Sequence, residues 1–222
     1  MNNLAILAST LKENANAQRA EPMKRYMKNQ FEFYGISAPI RKKILSDFYK
    51  NNTLIFNDFD KEIIQFYQTK YRETQYCAME ITQKYYKKNI SKDSIKTIEK
   101  MILIDSWWDT VDFIADKILG LYGQKFPEEI PNFVNRFMKS ENIWLQRSCI
   151  LFQLKYKEKT DTKLLFDLCD KLSYSNEFFI QKAIGWALRE YAKTDAKTVY
   201  NFVETHDLKP LSKREALKHQ SI

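Results

Sequence analysis

Apolar residues recur every three to four positions along nearly the whole chain, and no stretch alternates between apolar and polar residues with a period of two. This spacing is typical of amphipathic helices rather than of strands. The chain contains only four glycines and five prolines, so few tight hairpin turns are expected. The pattern predicts an all-α fold, with helices over residues 2–17, 21–30, 39–50, 58–69, 72–87, 92–103, 106–120, 127–139, 142–156, 161–172, 176–191, 195–205 and 212–219.

Two of these helices start with a serine that is followed three residues later by an acidic residue. Ser106 with Asp109, and Ser212 with Glu215, are predicted to form capping boxes. In a capping box each of the two side chains accepts a hydrogen bond from a backbone N–H of the first turn. These reciprocal bonds would fix where the two helices begin.

A cationic or aromatic residue recurs near the start of alternate helices, at Arg72, Trp108, Arg147 and Lys182. The intervals of 36, 39 and 35 residues are close to the pitch of proteins built from repeated helix pairs. One helix of each pair in such a solenoid lines a concave face, so the four residues would form a row along that face. The alternative is a chance spacing within an all-helical bundle.

The charge balance favours a polyanionic partner. Lys and Arg number 36 against 28 Asp and Glu, which gives a net charge of +8 and a pI near 9.2. Nucleic acid is the first expectation and an anionic membrane surface the second, although a well-solvated surface alone would have the same composition. No apolar run approaches the length of a transmembrane helix, so we expect no membrane partner.

The number and spacing of the cysteines and histidines in this chain do not favour a metal site. Cys77, Cys149 and Cys169 are odd in number and widely spaced, and no CxxC occurs, which argues against a disulfide framework and against a zinc site. A reducing, cytoplasmic compartment is expected. His206 and His219 are the only histidines, so a histidine-based metal site or a Ser-His-Asp triad is poorly supplied.

The segment from Asp105 to Ala115 is the most informative in the chain. At about 100° per residue, an apolar helix face is predicted to consist of Val111, Ile114, Ala115 and Ile118. Asp112 lies beside Trp108 on the edge of that face, beyond the reach of a capping role. A carboxylate in this position is partly desolvated, which raises its pKa, while a nearby cation restores its charged form. Such a group suits the stabilisation of positive charge; the alternative is an exposed aspartate at the boundary of the core.

Two further helices supply possible partners for Asp112. Arg147 lies in the first turn of an otherwise apolar helix, and Trp186 lies in the middle of another, next to Gly185. A glycine in a helix costs about 1 kcal/mol relative to alanine. Either a ligand approaches the backbone at Gly185, or two helices pack closely there. Trp186 taken alone is more typical of a core residue than of a site.

Several stretches of the chain resemble the AlkD family of alkylpurine DNA glycosylases, in order and over nearly the whole length. They are residues 25–31 (RYMKNQF), 106–112 (SWWDTVD), 143–148 (IWLQRS), 178–191 (FFIQKAIGWALREY) and 211–216 (LSKREA). The resemblance implies one domain over residues 1–222, a right-handed superhelical solenoid of HEAT-like antiparallel helix pairs whose concave basic face grips duplex DNA. It also implies action as a monomer and no metal or diffusible cofactor.

The resemblance further implies a monofunctional glycosylase that excises positively charged N3- and N7-alkylated purines without a deep base-flipping pocket. The residue that matches the family's catalytic aspartate is Asp112. The two DNA-contacting tryptophans match Trp108 and Trp186, the phosphate-binding arginine matches Arg147, and a tyrosine at the site matches Tyr26. Other cations, among them Arg189, would attract DNA independently of its sequence.

Two other functions remain open at this point. A non-catalytic helical-repeat scaffold that binds nucleic acid or protein would explain the charge and the repeats equally well, but a phosphate binder gains nothing from a carboxylate beside Trp108. An all-α bundle with no nucleic-acid function is the third possibility, and DNA binding at low and high salt would separate it from the others.

Overall fold

The computed structural model describes residues 3–218, and this part of the chain is helical without strands; Glu32 and Tyr71 form one isolated parallel bridge. The all-α prediction is confirmed. The residues fall into two compact units, the first ending at Asn89 and the second starting at Ile90. The expectation of one domain over residues 1–222 stays a prediction.

Between residues 3 and 89, the first unit contains five helices. They are α1 (Asn3–Glu13), α2 (Ala17–Tyr26), α3 (Ala38–Asn51), α4 (Phe59–Tyr67) and α5 (Arg72–Asn89). Helix α5 packs against α1, α3 and α4, so it forms the centre of this unit. The core here includes Leu7, Leu45 and Ile63, each at most 3% exposed.

Over residues 90–218, the second unit contains nine further α-helices. They are α6 (Ser94–Leu103), α7 (Trp108–Phe113), α8 (Gly120–Lys125), α9 (Ile130–Lys139), α10 (Ile143–Leu151), α11 (Thr162–Lys171), α12 (Phe178–Ala192), α13 (Ala196–Thr205) and α14 (Pro210–Ala216). A π-helical segment, Ile114–Leu119, joins α7 to α8, and short 3₁₀ turns occupy Pro127–Glu129 and Lys157–Lys159. Helix α10 packs against α7 and α12, and α12 packs against α14.

Side-chain caps explain several helix starts. Asp58, Asn142, Asp161 and Asp195 each accept a hydrogen bond from a backbone N–H of the following turn. Each such cap stabilises its helix by about 1 kcal/mol. These polar residues stand directly before apolar, helix-periodic segments, which is why the sequence locates the corresponding starts to within a residue or two.

The two predicted capping boxes are wrong. The Ser106 hydroxyl donates to the carbonyl of Ile102 in the preceding helix, and the cap of α7 is Trp107, which makes no side-chain cap bond. The Ser212 hydroxyl donates to the carbonyl of Gln181, and α14 already begins at Pro210. In both cases the helix begins at a different residue, and the serine hydroxyl donates to the carbonyl of another helix. The predicted end of the last helix, residue 219, lies outside the described residues, as do residue 2 and His219.

The predicted row of four residues along a concave face stays a prediction, although the burial of Arg72 argues against an exposed position for that residue. Its side chain is fully buried in the first unit, where the guanidinium lies 3.8 Å from the centroid of the Phe31 ring and Nη1 donates to Gln75 at 2.6 Å. The aromatic face and the amide oxygen replace the water that a buried cation loses.

Candidate active site

Helix α7 fixes the position of Asp112. The predicted apolar face is confirmed, because Val111, Ile114, Ala115 and Ile118 are all fully buried. Asp112 lies at the edge of this face, and its side chain is 15% exposed. The π-helical segment begins two residues later, and π-helical turns inside α-helices occur frequently at functional sites.

Arg147 of α10 forms a bidentate ion pair with Asp112. Nε of Arg147 lies 2.7 Å from Oδ1 of the carboxylate, and Nη2 lies 2.9 Å from Oδ2. The remaining Nη1 donates to the backbone carbonyl of Phe179 at the start of α12. Paired planar groups of this kind hold both partners in one orientation. Arg147 is itself only 4% exposed, so it fixes the carboxylate from the protein side.

The pKa of Asp112 is raised above its ordinary value of 3.8, chiefly because burial disfavours the carboxylate. The hydrogen bonds and charge of Arg147 oppose this shift, and the negative charges of Asp109 and Asp116 add to it. Burial therefore leaves the Asp112 carboxylate poorly hydrated, with Arg147 as its charged partner. An anion in this state interacts more strongly with a neighbouring positive charge than a hydrated one would.

Asp112 faces a cavity of about 270 Å³ in the second unit. The residues lining it are Trp108, Asp112, Arg147, Phe178, Phe179, Lys182, Trp186, Arg189 and Glu215. Four helices therefore contribute to one site, because α10 and α12 pack side by side and α7 and α14 pack against them. The structure brings together five of the residues that the sequence singled out, namely Trp108, Asp112, Arg147, Trp186 and Arg189.

Tyr26 belongs to the first unit, as the last residue of α2, and its side chain is 71% exposed. Its part in the site stays a prediction. The contact of Arg147 with a DNA phosphate likewise stays a prediction, and the ion pair with Asp112 gives this arginine a second role.

Three residues that line the cavity, Phe178, Phe179 and Glu215, have no predicted role in the site. Phe178 is 57% exposed at its rim, and Phe179 packs against Trp144 with ring centroids 4.9 Å apart. Lys182 is predicted as a member of the row that contains Trp108 and Arg147, and it lines the same cavity as both. The sequence predicts Glu215 as part of a capping box and gives no indication that this residue lines the cavity.

Neither a metal cluster nor a membrane span is found between residues 3 and 218. No three His, Cys, Asp or Glu side chains in this range come together as possible metal ligands, and no helix there is both long and apolar enough to cross a bilayer. The chemistry of the cavity is that of two carboxylates, Asp112 and Glu215, three cations and a wall of aromatic rings.

A family model described as DNA alkylation repair enzyme matches residues 7–220, nearly the whole chain. The chain belongs to the DNA alkylation repair enzyme family. One solved structure, described as a predicted DNA alkylation repair enzyme from Enterococcus faecalis, is 34% identical to it with a TM-score of 0.85. The alignment covers 93% of this chain and 97% of that one. The comparison with curated proteins gives no match.

Membership of this family assigns the chain to the repair of alkylated DNA and makes DNA its substrate. The excess of positive charge agrees with such a substrate, because cations that neutralise DNA phosphates release condensed counterions. In a DNA alkylation repair enzyme, a buried carboxylate that faces a cavity is the residue to examine for the chemical step.

Proposed function

We propose that this protein is a monofunctional DNA glycosylase of the AlkD type, which hydrolyses the N-glycosidic bond of N3- and N7-alkylated purines in duplex DNA. The observation that carries the proposal is the buried carboxylate of Asp112, oriented by Arg147 and facing a cavity that Trp108 and Trp186 also line. The substrates it would take include 3-methyladenine and 7-methylguanine.

The chemistry of these lesions explains why one carboxylate suffices. An N3- or N7-alkylated purine carries a formal positive charge, so the pair of electrons left by the broken bond makes the departing base neutral. The positive charge moves to the deoxyribose in the transition state, as in the hydrolysis of glycosides. A fixed anion near C1′ stabilises the transition state, in which the sugar is positively charged, more strongly than it stabilises the ground state. This difference is the condition for a faster reaction.

Water is the only co-reactant that the proposed hydrolysis needs. The bond between C1′ and the purine nitrogen breaks, the oxygen of a water molecule bonds to C1′, and the proton of that water passes to Asp112 and then to solvent. The products are the free alkylated base and an abasic site. No lysine nucleophile is needed, so strand cleavage is not part of the reaction.

The two tryptophans support the same step. Trp108 and Trp186 both line the cavity, and their ring faces would bracket the deoxyribose as it becomes cationic. Each such contact contributes about 0.5–2 kcal/mol. Because the rings act on the sugar and not on the base, we propose that the damaged base stays outside any deep pocket.

We also propose that the helices form a HEAT-like solenoid that grips duplex DNA as a monomer along a basic concave face. Supporting this within the second unit, the alternate helices α10, α12 and α14 pack successively on one another. Repeated helix pairs commonly use such a row of helices as a binding surface.

A second function is favoured by one observation. The Asp112 carboxylate has both oxygens bonded to Arg147, and a buried ion pair of this kind serves as a structural element in many proteins. A non-catalytic scaffold that binds DNA would keep such a pair. The scaffold would bind alkylated duplex DNA without releasing any base.

The deciding experiment is base release. Duplex DNA treated with a methylating agent is incubated with the protein, and free 7-methylguanine and 3-methyladenine are measured by chromatography, with strand breaks measured before and after alkali. The proposal expects free bases and breaks that appear only after alkali. Binding without release of either base would instead favour the scaffold, and strand breaks without alkali would contradict the monofunctional mechanism.

A further inference from the structure

Gly185 allows two helices to approach unusually closely. A Cβ at this position would lie 2.4 Å from Cβ of Glu215 and 2.9 Å from the carbonyl oxygen of Ser212. Close packing of α12 and α14 therefore explains this glycine, as one of the two sequence interpretations expected. The packing presses Glu215 against the middle of α12, at the face that carries Trp186.

Lys182 and Arg189 lie one turn before and one turn after Gly185 on the same face of α12. Residues three and four apart on a helix are neighbours, so a side chain held against Gly185 can reach both. Oε1 of Glu215 lies 3.0 Å from Nζ of Lys182, and Oε2 lies 3.0 Å from Nη1 of Arg189. The same Nη1 donates to the backbone carbonyl of Glu215.

This arrangement points outward, unlike the pair of Asp112 and Arg147. The side chains of Lys182 and Arg189 are 37% and 25% exposed, whereas that of Glu215 is 11% exposed. All three line the cavity. The two cations lower the pKa of Glu215 to about 2, so the glutamate stays ionised and keeps both of them in place across the working pH range.

We propose that Glu215 is a positioning residue that holds Lys182 and Arg189 as a two-cation site for a phosphate of the DNA backbone at the mouth of the cavity. The inference rests on the proposed glycosylase activity and identifies what sets the register of the substrate there. Two cations fixed in advance lose less side-chain freedom when phosphate binds than two free ones would. Contacts to phosphate fix register and carry no sequence information.

A second glutamate of the same unit offers a matched control. Oε1 of Glu190 lies 2.7 Å from Nζ of Lys155, and Oε2 lies 2.5 Å from Nζ of Lys193. Glu190, which lies in α12, thus also bridges two cations, but it lines a different cavity. Glu190→Gln removes the same charge without touching the proposed site.

The first test compares Glu215→Gln with Glu190→Gln. Glutamine keeps the shape that packs on Gly185 but removes the charge that holds the two cations. Excision from a methylated duplex is measured in single turnover at saturating enzyme, beside the melting temperature. We expect Glu215→Gln to slow excision by about 10- to 100-fold with its melting temperature retained, because small misplacements of a bound substrate have effects of this size. Glu190→Gln should match wild type, and equal rates for the two variants would overturn the proposal.

The second test does not depend on the folding of the Glu215 variant or on catalysis. Lys182→Gln is compared with Lys155→Gln for the binding of undamaged duplex DNA at several salt concentrations. We expect Lys182→Gln to weaken binding and to reduce the salt slope by about one relative to wild type, with Lys155→Gln unchanged. Identical slopes for both variants would sink the phosphate site. A wild-type protein that releases no base would sink the glycosylase proposal alone, since this binding comparison still decides the role of Lys182.

Discussion

Glu73 in the first unit and Asp112 in the second are both largely shielded from water, and the two carboxylates are held in different ways. In the first unit Glu73 is fully buried and accepts three backbone N–H groups, from Tyr34 at 2.9 Å, Gly35 at 2.9 Å and Ile36 at 3.0 Å. These bonds tie a loop to α5. The loop needs this tie because Gly35 has a φ of +84° and packs against the backbone of Asn16.

Asp112 in the second unit is held by a side chain instead of a loop. Its partner Arg147 reaches it from another helix, and the carboxylate lies on the wall of a cavity. The backbone N–H groups and the surrounding core enclose Glu73 completely. Arg147 contacts Asp112 from one side only, so the other side of the Asp112 carboxylate faces a cavity that a substrate can enter. Burial of a carboxylate therefore does not by itself indicate a catalytic role, whereas contact of the carboxylate with a cavity does.

The largest expected effect is on excision by Asp112→Asn. The substitution removes the anion that would stabilise the cationic sugar, and loss of one such electrostatic group lowers the rate by about 10²- to 10³-fold. Binding of duplex DNA should survive. Release of 7-methylguanine and the melting temperature are measured together, because Arg147 loses its charged partner. A folded variant with the wild-type rate would remove Asp112 from the mechanism.

Glu73→Gln should show the opposite behaviour. The amide offers one acceptor where three N–H groups converge, and hydrogen bonds to charged groups are worth about 1.5–3 kcal/mol each. We expect a loss of about 3 kcal/mol in the free energy of unfolding, which lowers the melting temperature by roughly 6–12 °C. Excision per folded molecule should be unchanged. If this variant is stable but inactive, the contrast between the two acids is wrong.

Arg147→Met tests whether the guanidinium acts on Asp112 or on a DNA phosphate. Arg147 lowers the pKa of Asp112 against the effect of burial, so its removal raises that pKa further. Excision needs the ionised form and is lost as the pH falls through this pKa. We expect the acidic limb of the pH–rate profile to move to higher pH. If the acidic limb is unchanged and the salt dependence of DNA binding has a slope reduced by about one, Arg147 binds a DNA phosphate instead.

Trp186→Ala should have the smallest effect. Loss of one ring face costs about 0.5–2 kcal/mol, which corresponds to excision about 2- to 30-fold slower. Trp186 is only partly buried against the core, so the melting temperature should change little. Trp186→Phe keeps a ring face and should restore most of the rate. A collapsed melting transition in the alanine variant would make Trp186 a core residue.

The sequence located most helices closely because helical periodicity is a local property. The predicted helices over residues 161–172 and 195–205 are observed as Thr162–Lys171 and Ala196–Thr205. The predicted helix over residues 106–120 is correct as a helical region, but it contains the π-helical segment Ile114–Leu119. Apolar spacing cannot distinguish an α-turn from a π-turn over six residues, because both keep the same residues on the buried face.

The helical class and the apolar face beside Asp112 can be read from the chain alone, because both follow from residues within one or two turns of each other. The pairing of Arg147 with Asp112, and of Glu215 with Lys182 and Arg189, depends on the packing of helices. These partners are 26 to 35 residues apart along the chain, and their meeting depends on which helices pack together and how closely. Gly185 is the clearest case, since the sequence showed an unexplained glycine and the packing of α14 supplied its reason.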